Sequence, residues 1–204
     1  MWDRLLALPS QPGLSLQAVL RHPVFWRLYL GAGLCCLGTF VPFVHLAPFA
    51  RDHGLSRLEG VWLVGLIGVG STLGRFVLGA AADRMGRGRA VALVILLTGL
   101  ALLYWLTATG FWTLAAFALA FGLFYGGFVA LVPAYTVDLF GLRAAASVIG
   151  VLYTSVAFGT LAGPTLAGWA FDTTGSYTWP ILICAAGCFV AAGIVARLPA
   201  RLAA

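Results

Sequence analysis

Gly79-Ala80-Ala81-Ala82-Asp83-Arg84-Met85-Gly86-Arg87-Gly88-Arg89 is the stretch on which the reading of this chain turns. It is a short loop between two long apolar runs, with an acid at a helix end, glycines, and three arginines. Its arginines suit it to anchor a loop on one side of a membrane. The sharper reading is a conformational latch formed by Gly79, Asp83, Arg84, Gly86 and Arg87. Asp83 would pair with a neighbouring arginine or a helix N-terminus, holding one state by about 1 kcal/mol until the helices rearrange. Arg143, at the start of a later apolar run, is the expected local counter-charge.

The composition around this loop leaves one solvent for the chain. Of 204 residues 62% are hydrophobic and 9% charged, and the mean hydropathy is +1.01. A soluble domain carries roughly 25% charged residues, so this is an integral membrane protein of about one domain. All twelve basic residues are arginine, against six acids, for a net charge of +6. They flank apolar runs as topology requires, which points to membrane lipid and away from nucleic acid as a partner. The start, Met1-Trp2-Asp3-Arg4, stays mixed in polarity to about residue 25, which reads as a cytoplasmic lead-in and not as a cleavable signal peptide. Cys35, Cys36, Cys184 and Cys188 lie inside apolar runs, so no disulfide framework is expected. Cys184 and Cys188 share a helix face, but without a nearby histidine or carboxylate they predict no metal site.

A hydrocarbon core of roughly 30 Å takes about 20 helical residues. Charge-poor runs of that size predict six spans, at about 28–50, 58–82, 90–107, 111–137, 144–171 and 177–197, forming a bundle over 28–197. Residues 1–27 are the lead-in, in which Leu14 to Trp26 reads as a short interfacial helix with Ser15 as N-cap. Residues 198–204 form a tail. Six spans put both termini on one side. That side holds nine arginines (Arg4, Arg21, Arg27, Arg84, Arg87, Arg89, Arg143, Arg197 and Arg201), against Arg51 and Arg57 opposite. The expectation is a protein of the cell (inner or plasma) membrane with both termini cytoplasmic. Trp26, Trp62, Trp105, Trp112, Trp169 and Trp179 fall near span ends and are expected at headgroup level. Gly70/Gly74, Gly122/Gly126 and Gly159/Gly163 are pairs four apart that let helix backbones approach closely.

Within the spans a few polar groups stand out. Arg75 lies deep in the second span, where an arginine costs roughly 2.5–3.5 kcal/mol on insertion scales and so faces a cavity or a partner. Gly68, Ser71, Arg75, Gly79 and Ala82 share a small or polar face, opposite Leu66, Val69, Leu73 and Val77, so Arg75 is expected to point inward. Snorkelling to the headgroups or pairing with a carboxylate is the alternative. His45 lies between Pro42 and Pro48, which free backbone carbonyls and predict a kinked or broken first span. It either lines a transport path or carries a proton, or bonds a freed carbonyl. Tyr125 and Tyr153 lie at membrane depth, either lining the same cavity or bonded within the bundle.

The Gly79–Arg89 loop resembles the signature of the major facilitator superfamily: a glycine, then Asp-Arg, then Gly-Arg and a further basic residue between the second and third helices of each six-helix half. Gly159 to Tyr177, with Gly163-Pro164, Gly168, Asp172, Gly175 and Ser176, is similar to the last hairpin of that superfamily. With Pro42-Phe43-Val44-His45-Leu46 and Gly74-Arg75, the pattern resembles the carboxy-terminal half of a monocarboxylate-porter or oxalate/formate-antiporter-like member, from about Phe25 onward. The resemblance implies an all-α fold, one half of a major-facilitator bundle with inverted 3+3 helix repeats. It also implies a second six-helix half as partner, either a second copy in a homodimer or a separate chain. In the similar porters an arginine at the position of Arg75 binds the substrate carboxylate, which its planar fork suits. A carboxylate one turn before it often accompanies proton coupling, and here that residue is Ser71.

The expected function is therefore secondary transport of a small organic anion, a monocarboxylate foremost, by alternating access, with Arg75, His45, Ser71, Tyr125 and Tyr153 as candidate substrate-binding residues. The alternative is a non-transporting remnant or assembly subunit that needs a separate amino-terminal half. An intramembrane serine protease would need its serine in a GxSG turn and a histidine on a later helix. Ser71 stands in Gly70-Ser71-Thr72 and no histidine follows His53, so no enzyme, cofactor or metal is expected.

Overall fold

The computed structural model describes residues 13–202, so Arg4, the first part of the lead-in and the end of the tail lie outside the described residues. Among the described residues the only extended pairing is one isolated bridge, Gly13 to Gly141, and the rest is helix and turn. The helices are α1 (Leu16–Leu20), α2 (Pro23–Thr39), α3 (Val41–Asp52), α4 (Arg57–Met85), α5 (Arg87–Trp105), α6 (Phe111–Phe140), α7 (Ala145–Thr174) and α8 (Thr178–Ala196). Taking α2 and α3 as one segment, six are long and apolar enough to cross a membrane.

Local chemistry sets the ends. Ser56 and Glu59 form a capping box at the start of α4: the Ser56 N–H donates to Glu59 Oε2 at 2.7 Å, and the Glu59 N–H donates to Ser56 Oγ at 3.3 Å. Gly86 ends α4 at φ +89°, its N–H donating to the Ala82 carbonyl. A positive φ of that kind suits glycine, which has no Cβ to clash with the backbone.

Two details differ from the sequence expectation, and the break expected in the first span is present. The interfacial helix does not run from Leu14 to Trp26. It is the single turn α1, capped by Ser15 Oγ accepting from the Ala18 N–H. Pro23 holds His22 in extended backbone (φ −88°, ψ 128°), and His22 then caps α2. The first span is two helices, broken at Phe40. Pro42 has no N–H to offer the Gly38 carbonyl, whereas Pro48 is accommodated inside α3. Trp105 belongs to no headgroup belt: it is fully buried, stacked on Phe117 at 5.1 Å and edge-on to Phe49 at 5.3 Å. Trp26, Trp62, Trp112, Trp169 and Trp179 are exposed.

Packing follows the glycines. α4 lies along α6, where a Cβ on Gly70 or Gly74 would overlap the Leu119 or Leu123 carbonyl, and one on Gly122 or Gly126 the Ile67 or Ser71 carbonyl. α7 meets α2 the same way, Gly159 against Gly33 and Gly163 against Leu37. α8 fills the space between α2 and α5. The outcome is uneven burial. Of the most apolar stretch of each helix, 44–56% is buried in α2–α3, α5, α6 and α8, but 28% in α4 and 22% in α7. These two helices carry the uncovered surface of the bundle.

Candidate functional site

Arg75 lies on the uncovered side of α4. The side of α4 pressed on α6 comprises Leu63, Ile67, Gly70, Ser71 and Gly74, all buried, while Arg75 is exposed with Val69, Leu73, Phe76 and Val77. The expectation that Arg75 turns into the bundle, away from Val69, Leu73 and Val77, is therefore corrected. Backbone-to-backbone contact at Gly70 and Gly74 leaves no room there for a long side chain. Arg75 has no carboxylate within ion-pair distance among the described residues, whose two salt bridges both involve Arg87.

Tyr125 on α6 interacts electrostatically at long range with Arg75 of α4, Cys36 of α2 and Tyr153 of α7. Phe43 and Phe40, at the break in the first span, meet the Tyr125 ring edge-on at 5.1 and 6.0 Å. The break thus supplies two aromatic rings packed on Tyr125. Ser71 is buried at the α4–α6 crossing, beside the backbone of Gly126. The chemistry on offer is one fixed positive charge, hydroxyl donors and an apolar wall, which suits a small anion with an organic tail.

His45 is two residues from Phe43 and so on a roughly opposite face of α3. It is 9% exposed, with Nδ1 3.2 Å from the Tyr177 hydroxyl and Nε2 3.0 Å from the Pro164 carbonyl. A ring protonated on Nε2 alone satisfies both: Nε2–H donates to the carbonyl, and Nδ1 accepts from the phenol. The carbonyl is on α7, not one freed within the first span. A Cβ on Gly168 would stand 3.5 Å from His45 Cε1, so the Cε1–Nε2 edge of the ring packs on α7. Tyr177 is itself stacked on Phe171 at 4.2 Å. His45 ties α3 to the α7–α8 hairpin, and no hydrogen bond links it to the Arg75 group.

At the end of the bundle that carries both described chain ends, Asp83 does not meet Arg143. Arg87 donates from Nη1 to Asp138 Oδ1 at 2.8 Å, and its Nη2 stands 3.9 Å from Asp83 Oδ1. Arg143 is exposed in the turn between α6 and α7 and forms no ion pair among the described residues. Arg87 is the nearer cation because Gly86 turns the chain back at once and sets it one turn from Asp83. Asp138 is the participant that sequence reasoning missed. Gly79 has open space around it, and Arg84 is exposed.

Residues 11–202 match the sequence model of the Major Facilitator Superfamily. The chain is 33% identical over 168 residues to monocarboxylate transporter 12 of Xenopus laevis, covering 80% of this chain and 36% of that protein. It is 32% identical over 211 residues to human monocarboxylate transporter 11, covering 94% and 44%. The crystal structure of the Escherichia coli fucose:proton symporter FucP (N162A) superposes with a TM-score of 0.71 at 20% identity, over 90% of this chain and 45% of that one. The chain spans less than half the length of these relatives.

Proposed function

The chain belongs to the Major Facilitator Superfamily, and on that premise we propose that it is a six-helix half of a secondary transporter for small organic anions, monocarboxylates foremost. The observation that carries this reading is Arg75: a guanidinium in a membrane helix, without a carboxylate partner among the described residues, on the uncovered face of α4. Desolvating such a charge is costly unless something pairs with it, and a carboxylate accepts its two parallel N–H donors. Tyr125 and Tyr153 add hydroxyls to the anion's other oxygen atoms, and Phe40 and Phe43 contact its apolar part. Ser71 is buried at the α4–α6 crossing one turn before Arg75, and His45 ties α3 to the α7–α8 hairpin.

Alternating access needs a second bundle to rock against. The face formed by α4 and α7 is where a further six-helix half, a second copy or a separate chain, would complete the cavity. The low burial of α4 and α7 favours a second reading, an assembly subunit or remnant inactive without that half. The excess of arginine at the Arg87 end points that end, and both termini, to the cytoplasm of a cell membrane. The test is uptake of labelled small monocarboxylates into liposomes containing the purified chain, alone and with a co-expressed amino-terminal half. Saturable uptake abolished by Arg75→Ala is the expected result. Uptake equal to that of empty liposomes in both arms, with folded protein, overturns it.

A further inference from the structure

A second charged recess lies at the end of the bundle that carries the chain ends, away from Arg75. It is a cleft of about 490 Å³ between the start of α5 and the residues after α8, lined by Arg87, Arg89, Asp138, Leu198 and Arg201 among others. Its walls are held by specific contacts. The Tyr135 hydroxyl donates to the Pro199 carbonyl at 2.8 Å, which pins the segment after α8 against α6. Gly88 brings the start of α5 so close to Tyr135 that a Cβ would lie 2.9 Å from its ring. Arg87 is partly neutralised by Asp138. Arg89 and Arg201 form no ion pair among the described residues, so the cleft keeps an excess of positive charge.

The cleft does not stand alone. Asp138 and Arg201 also line an adjoining groove, whose remaining walls include Leu14, Val137, Phe140, Leu142 and Leu202. A cationic recess continuous with an apolar groove, at the end of a membrane bundle, has the polarity of one molecule type: a phosphate on a hydrocarbon chain. Basic recesses between membrane helices at the headgroup level bind anionic lipid headgroups.

We propose that this compound recess is a binding site for an anionic phospholipid, with the phosphate on Arg89 and Arg201 and the start of one acyl chain along Leu14, Leu142 and Leu202. The site is independent of the transport reading, since it shares no residue with the Arg75 group. An anion there also adds to the negative field on Arg87 and loosens its hold on Asp138, which links lipid composition to the ion pair nearest the loop.

The test is native mass spectrometry of the full chain released from detergent, titrated with dioleoyl-phosphatidylglycerol, with dioleoyl-phosphatidylcholine, and with inorganic phosphate. The expected result is preferential retention of phosphatidylglycerol, weakened about thirtyfold in Arg89→Gln/Arg201→Gln, as two arginines near an anionic surface predict. Both arginines are exposed, and circular dichroism checks that the variant keeps its helices. Leu142→Ser is expected to weaken lipid but not phosphate. Equal retention of phosphatidylglycerol by wild type and the double variant, or no preference over phosphatidylcholine, overturns the site. Inorganic phosphate that binds as tightly as the lipid and displaces it overturns the lipid assignment.

Discussion

Arg87 reaches across from α5 to bond Asp138 on α6 at 2.8 Å while standing 3.9 Å from Asp83 at the end of α4. One guanidinium therefore sits between carboxylates of two other helices, and the nearer one holds it. The Arg87 and Asp138 side chains are partly screened, 38% and 25% exposed, whereas Asp83 is 71% exposed. A double-mutant cycle with Arg87→Gln and Asp138→Asn should return a coupling of about 1 kcal/mol. The cycle of Arg87→Gln with Asp83→Asn should return a few tenths at most. Denaturation midpoints in detergent measure both, and the reverse ranking would contradict the geometry.

The glycines of α4 divide into tight and free ones. Gly74→Val should destabilise by about 1–3 kcal/mol, because its side chain meets the Leu123 backbone, which has no rotamer to yield. Gly79→Ala has open space and helical backbone, and should be neutral or gain about 0.4–1 kcal/mol. Thermal unfolding of the two variants side by side is the measurement.

Replacing His45 by leucine leaves the Pro164 carbonyl and the Tyr177 hydroxyl without their partner. A loss of about 1–3 kcal/mol is expected. Tyr177→Phe should cost less, and the double variant less than the sum, because the two residues share one bond. Additive losses would mean that the His45–Tyr177 contact carries no energy.

Single-tryptophan variants should separate Trp105 from the others. Fluorescence of Trp112, Trp169 and Trp179, each at least 67% exposed, should be quenched by brominated lipid, and that of buried Trp105 should not. Trp105 Nε1 is also buried without a hydrogen-bond partner among the described residues, so Trp105→Phe loses volume but also removes an unpaired donor. It should cost less than Trp105→Ala, which falls in the 3–5 kcal/mol range for emptying an aromatic site.

Depth was readable from sequence, and direction around each helix was not. Long charge-poor runs located the six segments because hydrocarbon tolerates so little else, and the Asp83–Arg89 stretch marked the join of α4 and α5, which is shorter than a loop, the single residue Gly86. Hydropathy carries no azimuth, however, so Trp105 read as a belt residue and Arg75 as inward-facing. Gly70 and Gly74 held the missing information, since whichever side of α4 bears them must lie against another backbone. Asp138 escapes a search for uncharged runs because it stands immediately after the one that ends at Val137. A lone carboxylate three residues before Gly141, at the same depth as the arginine-rich loop, was the signal available. The split of the first span was foreshadowed by Pro42, but its place at Phe40 depends on the carbonyl that a proline four residues later cannot bond.

That split gives the bundle a mechanical joint. α2 is clamped between α7 and α8, whereas α3 lies mainly along α4, so the two pieces of one membrane segment answer to different neighbours. The twelve residues of α3 make a lever of about 18 Å. Pivoting it by about 10° at Phe40 would swing Asp52 through about 3 Å while leaving α2 seated. His45 is the bolt on that lever, and its two bonds set how much torque is needed to turn it.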